Sequence, residues 1–261
     1  MYATERHARI LDELDSAGRV SVTDLARALD VTGETIRRDL DALESAGVLR
    51  RVHGGAVRRG SGIELALADR AQRNSGAKQR IARAAIALIP STVPASLALD
   101  AGSTTAAFAD LLAAWRPTGG EGVLDVITHA VPHIGVLQDN PALAVHAVGG
   151  VVRPTTSAAV GAVTVDGFAR TRPDLAVIGA NGISAGFGLS TPDEREAAVK
   201  AAIVRSARRT IALVDASKHG DESLLRFAEL ADIDTLVTDA PPDHDLAAAL
   251  AAADVEVVVA T

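Results

Sequence analysis

The run Asp100-Ala101-Gly102-Ser103-Thr104-Thr105 sets a carboxylate, a glycine and three hydroxyls directly after an apolar stretch and at the start of a helical pattern. Glycine lets the backbone approach a ligand closely, hydroxyls donate, and the open N–H groups of a helix start favour an anion, so the chemistry implied is phosphate capture. A second reading is that Ser103 or Thr104 simply caps its helix. Lysine is scarce: of 26 basic residues only Lys78, Lys200 and Lys218 are lysine. Lys218 stands in Val214-Asp215-Ala216-Ser217-Lys218-His219-Gly220, after another apolar run, where a mobile ammonium can meet an anion. Lys200 follows Glu196 by one helical turn, which is also the spacing of an exposed ion pair worth roughly a few tenths of a kcal/mol.

Other chemistries lack their residues. No Gly-Lys pair exists for a Walker A loop, and no Gly-x-Gly-x-x-Gly follows a strand, so no nucleotide cofactor is expected. His129 and His133 have metal-ligand spacing, but Pro132 lies between them and no cysteine or paired acid converges, so no metal is expected either. Zero cysteines exclude disulfides and thiol chemistry.

A second constellation lies near the start of the chain. In Val31-Thr32-Gly33-Glu34-Thr35-Ile36-Arg37-Arg38-Asp39-Leu40, a helix of about 100° per residue puts Ile36, Leu40 and Leu43 on one stripe. Arg38 points away from that stripe, with Thr35 and Arg37 flanking it, and Thr32 is placed to cap the helix. A helix at Arg9 to Leu14 and another opened by Ser21-Val22-Thr23-Asp24 precede it, which is the order of a helix-turn-helix. Arginine at the start of a recognition helix suits the paired O6 and N7 acceptors of guanine. The segment Val48 to Val57, with Arg50, Arg51, Arg58 and Arg59 in and beside it, reads as a basic wing lying along phosphates. Two adjacent arginines on a solvated face are also commonplace, and Gly54-Gly55 also fits a plain linker turn.

The elements that must position these groups follow from periodicity. After Arg58-Arg59-Gly60-Ser61-Gly62, which reads as a hinge, a helix spans Ala77 to Ile89. Strands are expected at Leu97–Asp100, Val123–Thr128, Ala144–Val148, Leu175–Gly179, Thr210–Val214, Leu236–Thr238 and Val255–Val259. Helices are expected at Thr104–Ala114, Asp193–Arg208, Ser223–Ala231 and Asp245–Ala253. Short apolar runs between amphipathic helices imply a mostly parallel sheet covered on both faces, in whose strand ends ligands gather. The 261 residues thus divide into a head at 1–59, a linker at 60–76 and an α/β domain at 77–261. Residues 1–60 carry ten arginines and ten acids, so the whole net charge of −7 belongs to the remainder. An acidic body argues against general nucleic-acid coating and for oriented duplex contact by the head alone. A charged N-terminus and short apolar runs imply no membrane segment and a cytoplasmic protein.

Both parts resemble the DeoR family of transcriptional regulators. The head carries Thr35-Ile36-Arg37-Arg38-Asp39-Leu40, Leu43-Glu44-Ser45-Ala46-Gly47-Val48-Leu49-Arg50-Arg51 and His53-Gly54-Gly55-Ala56, with Thr32 where serine is the more familiar cap. The second part carries Arg70, Asn74, Lys78 and Ile81-Ala82, the loop Asp100 to Thr105, Gly149-Gly150, Thr191, then Glu196-Ala197-Ala198-Val199-Lys200, and Asp215 to Gly220. The resemblance implies a winged helix-turn-helix that contacts operator DNA through Thr32, Glu34, Thr35, Arg37, Arg38, Arg50, Arg51 and His53. It implies a sensor domain whose sugar-phosphate contacts are Asp100, Gly102, Ser103, Thr104, Thr105, Thr128, Gly149, Gly150, Asn181, Glu196, Lys200 and Lys218. One departure stands out: Thr128-His129-Ala130 replaces the family's Thr-Asn-Ser.

The sensor part also resembles the ribose-5-phosphate isomerase fold, so the rival expectation is an isomerase-like enzyme joined to a DNA-binding head. Isomerisation needs a carboxylate base at the substrate carbon. Where those enzymes carry acids, this chain has Ile178-Gly179-Ala180-Asn181-Gly182, leaving Glu196 as the substitute. The expectation is therefore a non-enzymatic repressor of a carbohydrate operon, relieved by a sugar phosphate and acting as a homodimer or homotetramer.

Overall fold

Ser21 and Thr32 start two helices of the head as their spacing predicts. In this computed structural model, which describes residues 3–17, 19–45, 48–52, 54–58, 66–90, 95–118 and 122–261, Ser21 Oγ accepts from Asp24 N at 3.0 Å and Thr32 Oγ1 from Thr35 N at 3.2 Å. The chain divides into two units, Met1–Ile63 and Glu64–Thr261. The first runs α1 (Ala3–Ala17), β1 (Arg19–Ser21), α2 (Val22–Ala28), α3 (Gly33–Ser45), β2 (Leu49–Val52) and β3 (Gly55–Arg58). Ile36, Leu40 and Leu43 of α3 are buried together with Ile10, Leu14, Leu25 and Leu49. The wing is more than the expected hairpin. Its three antiparallel strands take the order β1-β3-β2, with Ser21 opposite Gly55.

The second unit continues with α4 (Leu67–Gln72), α5 (Ser75–Ile86), β4 (Ala95–Leu99), α6 (Ser103–Leu112), β5 (Leu124–Thr128), α7 (Val131–Leu137) and β6 (Leu143–Ala147). Then come β7 (Val151–Arg153), β8 (Ala158–Val160), α8 (Ala162–Ala169), β9 (Leu175–Gly179), β10 (Gly182–Ser184), β11 (Gly188–Thr191) and α9 (Glu194–Ser206). The chain finishes with β12 (Thr210–Leu213), a 3-10 turn (Ala216–Lys218), β13 (Leu225–Ala228), β14 (Thr235–Thr238), α10 (His244–Ala252) and β15 (Glu256–Val259). All seven expected strands join one sheet of order β15-β14-β12-β9-β4-β5-β6, every pair parallel.

Burial on both faces explains why these strands were legible as unbroken apolar runs. Leu97, Leu99, Val126, Val177, Leu213 and Val237 pack with α5 and α6 on one side. Ala98, Ala176, Ile178, Ala212 and Leu236 pack with α8, α9 and α10 on the other. The chain leaves β4 toward β5 and β6, then returns to β9 on the opposite side of β4. The crevice at the carboxyl ends of β4 and β9 is therefore the switch point where such sheets take ligands.

Two expectations change here. Ser223–Ala231, expected as a helix, is the strand β13 followed by a 3-10 turn at Leu230–Asp232. β13 pairs antiparallel with β11, with Leu189 opposite Ala228, and that ladder overrides a weak local helical pattern. Within the span read as a linker, Leu67–Gln72 is a helix of the second unit, and Leu67 N donates to Thr155 O at 2.9 Å. Residues 59 to 62 of the hinge lie outside the described residues.

Candidate functional site

α6 opens without a side-chain cap. Its N-cap is Gly102 at φ 149°, so neither Ser103 nor Thr104 caps the helix, and both are buried within its first turn. The capping alternative is thereby removed, and the first N–H groups of α6 lack a side-chain acceptor. Thr105 Oγ1 donates to Gly102 O at 3.1 Å. Thr104 Oγ1 is buried and finds no partner among the described residues. A buried hydroxyl without a partner costs about 1–3 kcal/mol.

Asp100 ends β4 with no exposed surface. Its carboxylate accepts from Gly179 N at 3.0 Å and is bonded to the Lys200 ammonium, which also donates to Gly179 O at 3.0 Å. Burial alone would raise the Asp100 pKa, but Lys200 and His129 outweigh it and hold the carboxyl below the usual range. The exposed Glu196–Lys200 pair suggested by their spacing does not form: both residues are buried on α9 and reach different partners. Glu196 binds the Thr156 hydroxyl and Arg153 Nη1, the latter at 3.2 Å, fastening the β7–β8 turn to α9.

Lys218 lies 3.3 Å from Asp215 Oδ2. Burial lowers its pKa, Asp215 opposes this, and the charges of Arg70 and Lys200 lower it further. Lys78 is similarly held down to about 8 by burial first and then by Lys218, and its ammonium donates to the carbonyls of Arg70 and Arg73 at the end of α4. Arg70 belongs to this cationic cluster, although the sequence pattern assigned it no contact. Its signal was its place in the Arg70, Asn74, Lys78 run. Asn74 Nδ2 donates to Asp215 Oδ1 and Ser217 Oγ, both at 3.1 Å.

The remaining expected contacts are placed as follows. Thr128 is spent internally, donating to Leu99 O at 2.8 Å and accepting from Ala130 N at 3.2 Å. Asn181 Oδ1 accepts from Thr191 Oγ1 at 3.1 Å beside the end of β9. Gly150 sits at φ 154°, where a Cβ would lie 2.1 Å from Thr164 Oγ1. Thr164 in turn donates to Gly149 O at 2.9 Å, closing the turn between β6 and β7.

In the head, Arg37 and Arg38 stand on the exposed side of α3, with Glu34 at 3.4 and 3.7 Å. Arg51 departs from the wing role expected of it: its guanidinium pairs with Asp41 and donates to Arg37 O at 3.1 Å, binding the wing to α3. Asp39 was missed. It is buried, accepting from Arg6 Nε at 2.7 Å and Nη2 at 2.9 Å with His7 Nε2 at 3.1 Å, and so ties α1 to the back of α3. His53 and the side chains of Arg50 and Arg58 lie outside the described residues. No described helix is long and apolar enough to cross a membrane.

Comparison with known proteins agrees with this geometry. The family description "DeoR-like helix-turn-helix domain" matches residues 6–61, and "DeoR C terminal sensor domain" matches residues 73–240. The glycerol-3-phosphate regulon repressor of Haemophilus influenzae is 33% identical over 91% of this chain and 90% of its own. The HTH-type transcriptional regulator GlpR of Haloferax volcanii is 35% identical over 99% and 98%. A solved D-ribose-5-phosphate isomerase aligns over 54% of this chain and 52% of its own at 20% identity and TM-score 0.40, a likeness too slight to argue from. The chain belongs to the DeoR family of transcriptional regulators, with a winged helix-turn-helix head and a parallel α/β sensor domain.

Proposed function

We propose that this chain is a repressor of a carbohydrate-use operon that releases its operator when a sugar phosphate occupies the crevice at the ends of β4 and β9. The observation that carries the reading is the uncapped start of α6 with the partnerless Thr104 hydroxyl, within a domain where Lys200, Lys218 and Arg70 supply positive charge. The glycerol-3-phosphate named for the relative in Haemophilus influenzae is a phosphorylated three-carbon polyol, which fits the same chemistry. The linkage needs coupling of only ~1–3 kcal/mol between effector and operator. A homodimer or homotetramer presents paired heads to paired half-sites. Thermal-shift measurement against a panel of sugar phosphates checks the sensor, because a true effector stabilises the folded state by mass action. If no member of the panel raises the melting temperature or weakens operator binding, the reading fails.

The head's share is separately testable. Arg37→Ala or Arg38→Ala is expected to cost ~1–3 kcal/mol in operator binding and to blur sequence preference. Arg50→Ala is expected to weaken all duplexes alike. Fluorescence anisotropy on operator and random duplexes reads both, and equal losses on the two duplexes for all three variants would contradict base reading by α3.

Turnover is not part of this function. Asn181 cannot abstract a proton, Glu196 is engaged by Arg153 and Thr156, and Asp100 is held by Lys200. Incubation with pentose and hexose phosphates tests this, and isomerisation at ordinary enzyme rates would refute it.

A further inference from the structure

α3 carries a charge conflict. Between Gly33 and Ser45 it holds four carboxylates, Glu34, Asp39, Asp41 and Glu44, against two arginines, Arg37 and Arg38, so a helix that is to meet a polyanion is itself net negative. The fold meets this from both sides. On the α1 side, Arg6 and His7 engage Asp39. On the wing side, Arg51 engages two more: its Nη1 donates to Asp41 Oδ1, and its backbone N–H donates to Glu44 Oε1 at 2.6 Å. The same Nη1 donates to the Arg37 carbonyl at 3.1 Å. Residues 37, 41 and 44 stand at i, i+4 and i+7, which is one face of α3, beside the buried stripe of Ile36, Leu40 and Leu43. The fourth carboxylate, Glu34, lies against Arg37 and Arg38 themselves.

We propose that Arg51 is a positioning residue of α3 and not a phosphate contact: one side chain neutralises Asp41 and fixes the backbone that carries Arg37. This rests on the reading of α3 as the helix that meets bases. Asp41 follows Arg37 by one turn, about 5.4 Å of rise, which is inside the Debye length of roughly 8 Å at physiological salt. A bare carboxylate there repels any phosphate that approaches Arg37. Magnitude separates orientation from stability. The Asp41 side chain is 64% exposed, so its pair with Arg51 contributes little to folding. Three bonds from one wing residue to one face of α3 instead fix where that face sits. The Arg51 side chain is only 25% exposed, and turning it toward a phosphate breaks its bonds to Asp41 and to the Arg37 carbonyl together.

A double-mutant cycle separates the two roles. The full wild-type chain first selects a duplex from a randomised pool, and a scrambled duplex of the same composition serves as reference. Fluorescence anisotropy between about 50 and 200 mM salt then gives affinity, salt slope and the selected-to-scrambled ratio for Arg51→Met, Asp41→Ala and the double variant, with folding of the head checked by NMR. Arg51→Met is expected to weaken binding to both duplexes. The double variant is expected to recover affinity for the scrambled duplex, because the bared carboxylate is gone as well. Its salt slope is expected to match the wild type, whereas loss of a phosphate contact reduces the slope by about one. Asp41→Ala and the double variant are both expected to lose at least about fivefold in the ratio, the lower end of what one misplaced base contact costs. A double variant as weak as Arg51→Met, with a slope reduced by about one, makes Arg51 a phosphate contact and overturns the proposal. So does an Asp41→Ala ratio equal to that of the wild type, a result that needs only a change at an exposed side chain and stands even if Arg51→Met unfolds the head. If the wild type selects no sequence, base reading by α3 falls by itself, and the salt slopes on the scrambled duplex still decide the role of Arg51.

Discussion

Lys200→Met is expected to destabilise the sensor domain by about 3–5 kcal/mol, because it leaves the Asp100 carboxylate buried without its counter-charge. Lys200 and Asp100 have side-chain exposures of only 6% and 0%, so water cannot replace the lost partner. For a domain of this size the loss corresponds to a fall of roughly 10 °C in melting temperature. The pH dependence is expected to reverse as well. In the wild type the folded pKa of Asp100 is depressed, so its contribution is complete above the ordinary carboxylate range and fades only as pH falls below it. Without Lys200, burial dominates and raises that pKa above its unfolded value. Stability from this group is then present at low pH and lost as pH rises. The deficit of the variant should therefore be smaller at pH 5 than at pH 8 in urea unfolding. The double change Asp100→Asn with Lys200→Met should recover part of the loss, since no unpaired charge remains. A single variant as stable as the wild type at pH 8 would show that the pair does not hold this crevice together.

Gly55→Ala is expected to abolish operator binding while leaving the melting of the sensor domain unchanged. A Cβ at this position would lie 1.8 Å from the Val20 carbonyl oxygen and 2.9 Å from its carbon, both backbone atoms of the neighbouring strand. β1 and β3 must part to admit it, and the cost is on the order of 3 kcal/mol in a head whose core is small. Gly54 makes a useful contrast. It sits at φ +76° with nothing within 4 Å of the place a methyl group would take, so Gly54→Ala carries only the left-handed backbone penalty of roughly 1–2 kcal/mol. Operator binding by the two variants should therefore differ sharply. Equal effects would mean that the pair works as a turn and that the close approach of Gly55 to β1 is unimportant.

Several features were legible in the sequence because they are written in short-range patterns. The seven strands of the parallel sheet are apolar on both faces, and such runs stand out without help from distant residues. The caps Ser21 and Thr32, the stripe Ile36, Leu40 and Leu43, and the loop from Asp100 to Thr105 are likewise local, since spacing along the chain fixes which face or terminus each occupies. Other features belong to the tertiary structure. β13 is a strand because β11 offers it a ladder, although its own residues also fit a helix. Glu196 and Lys200 are one turn apart, yet Lys200 binds Asp100, 100 residues away, and Glu196 binds Arg153 and Thr156. In a buried crevice each charge must be satisfied by whatever the folded sheet brings within reach, and desolvation makes that demand stronger than any i, i+4 preference. Asp39 follows the same rule, its charge met by Arg6 and His7 more than thirty residues away: residue type and spacing named the two candidate surfaces, whereas the folded packing decided which side chains are spent on holding them together.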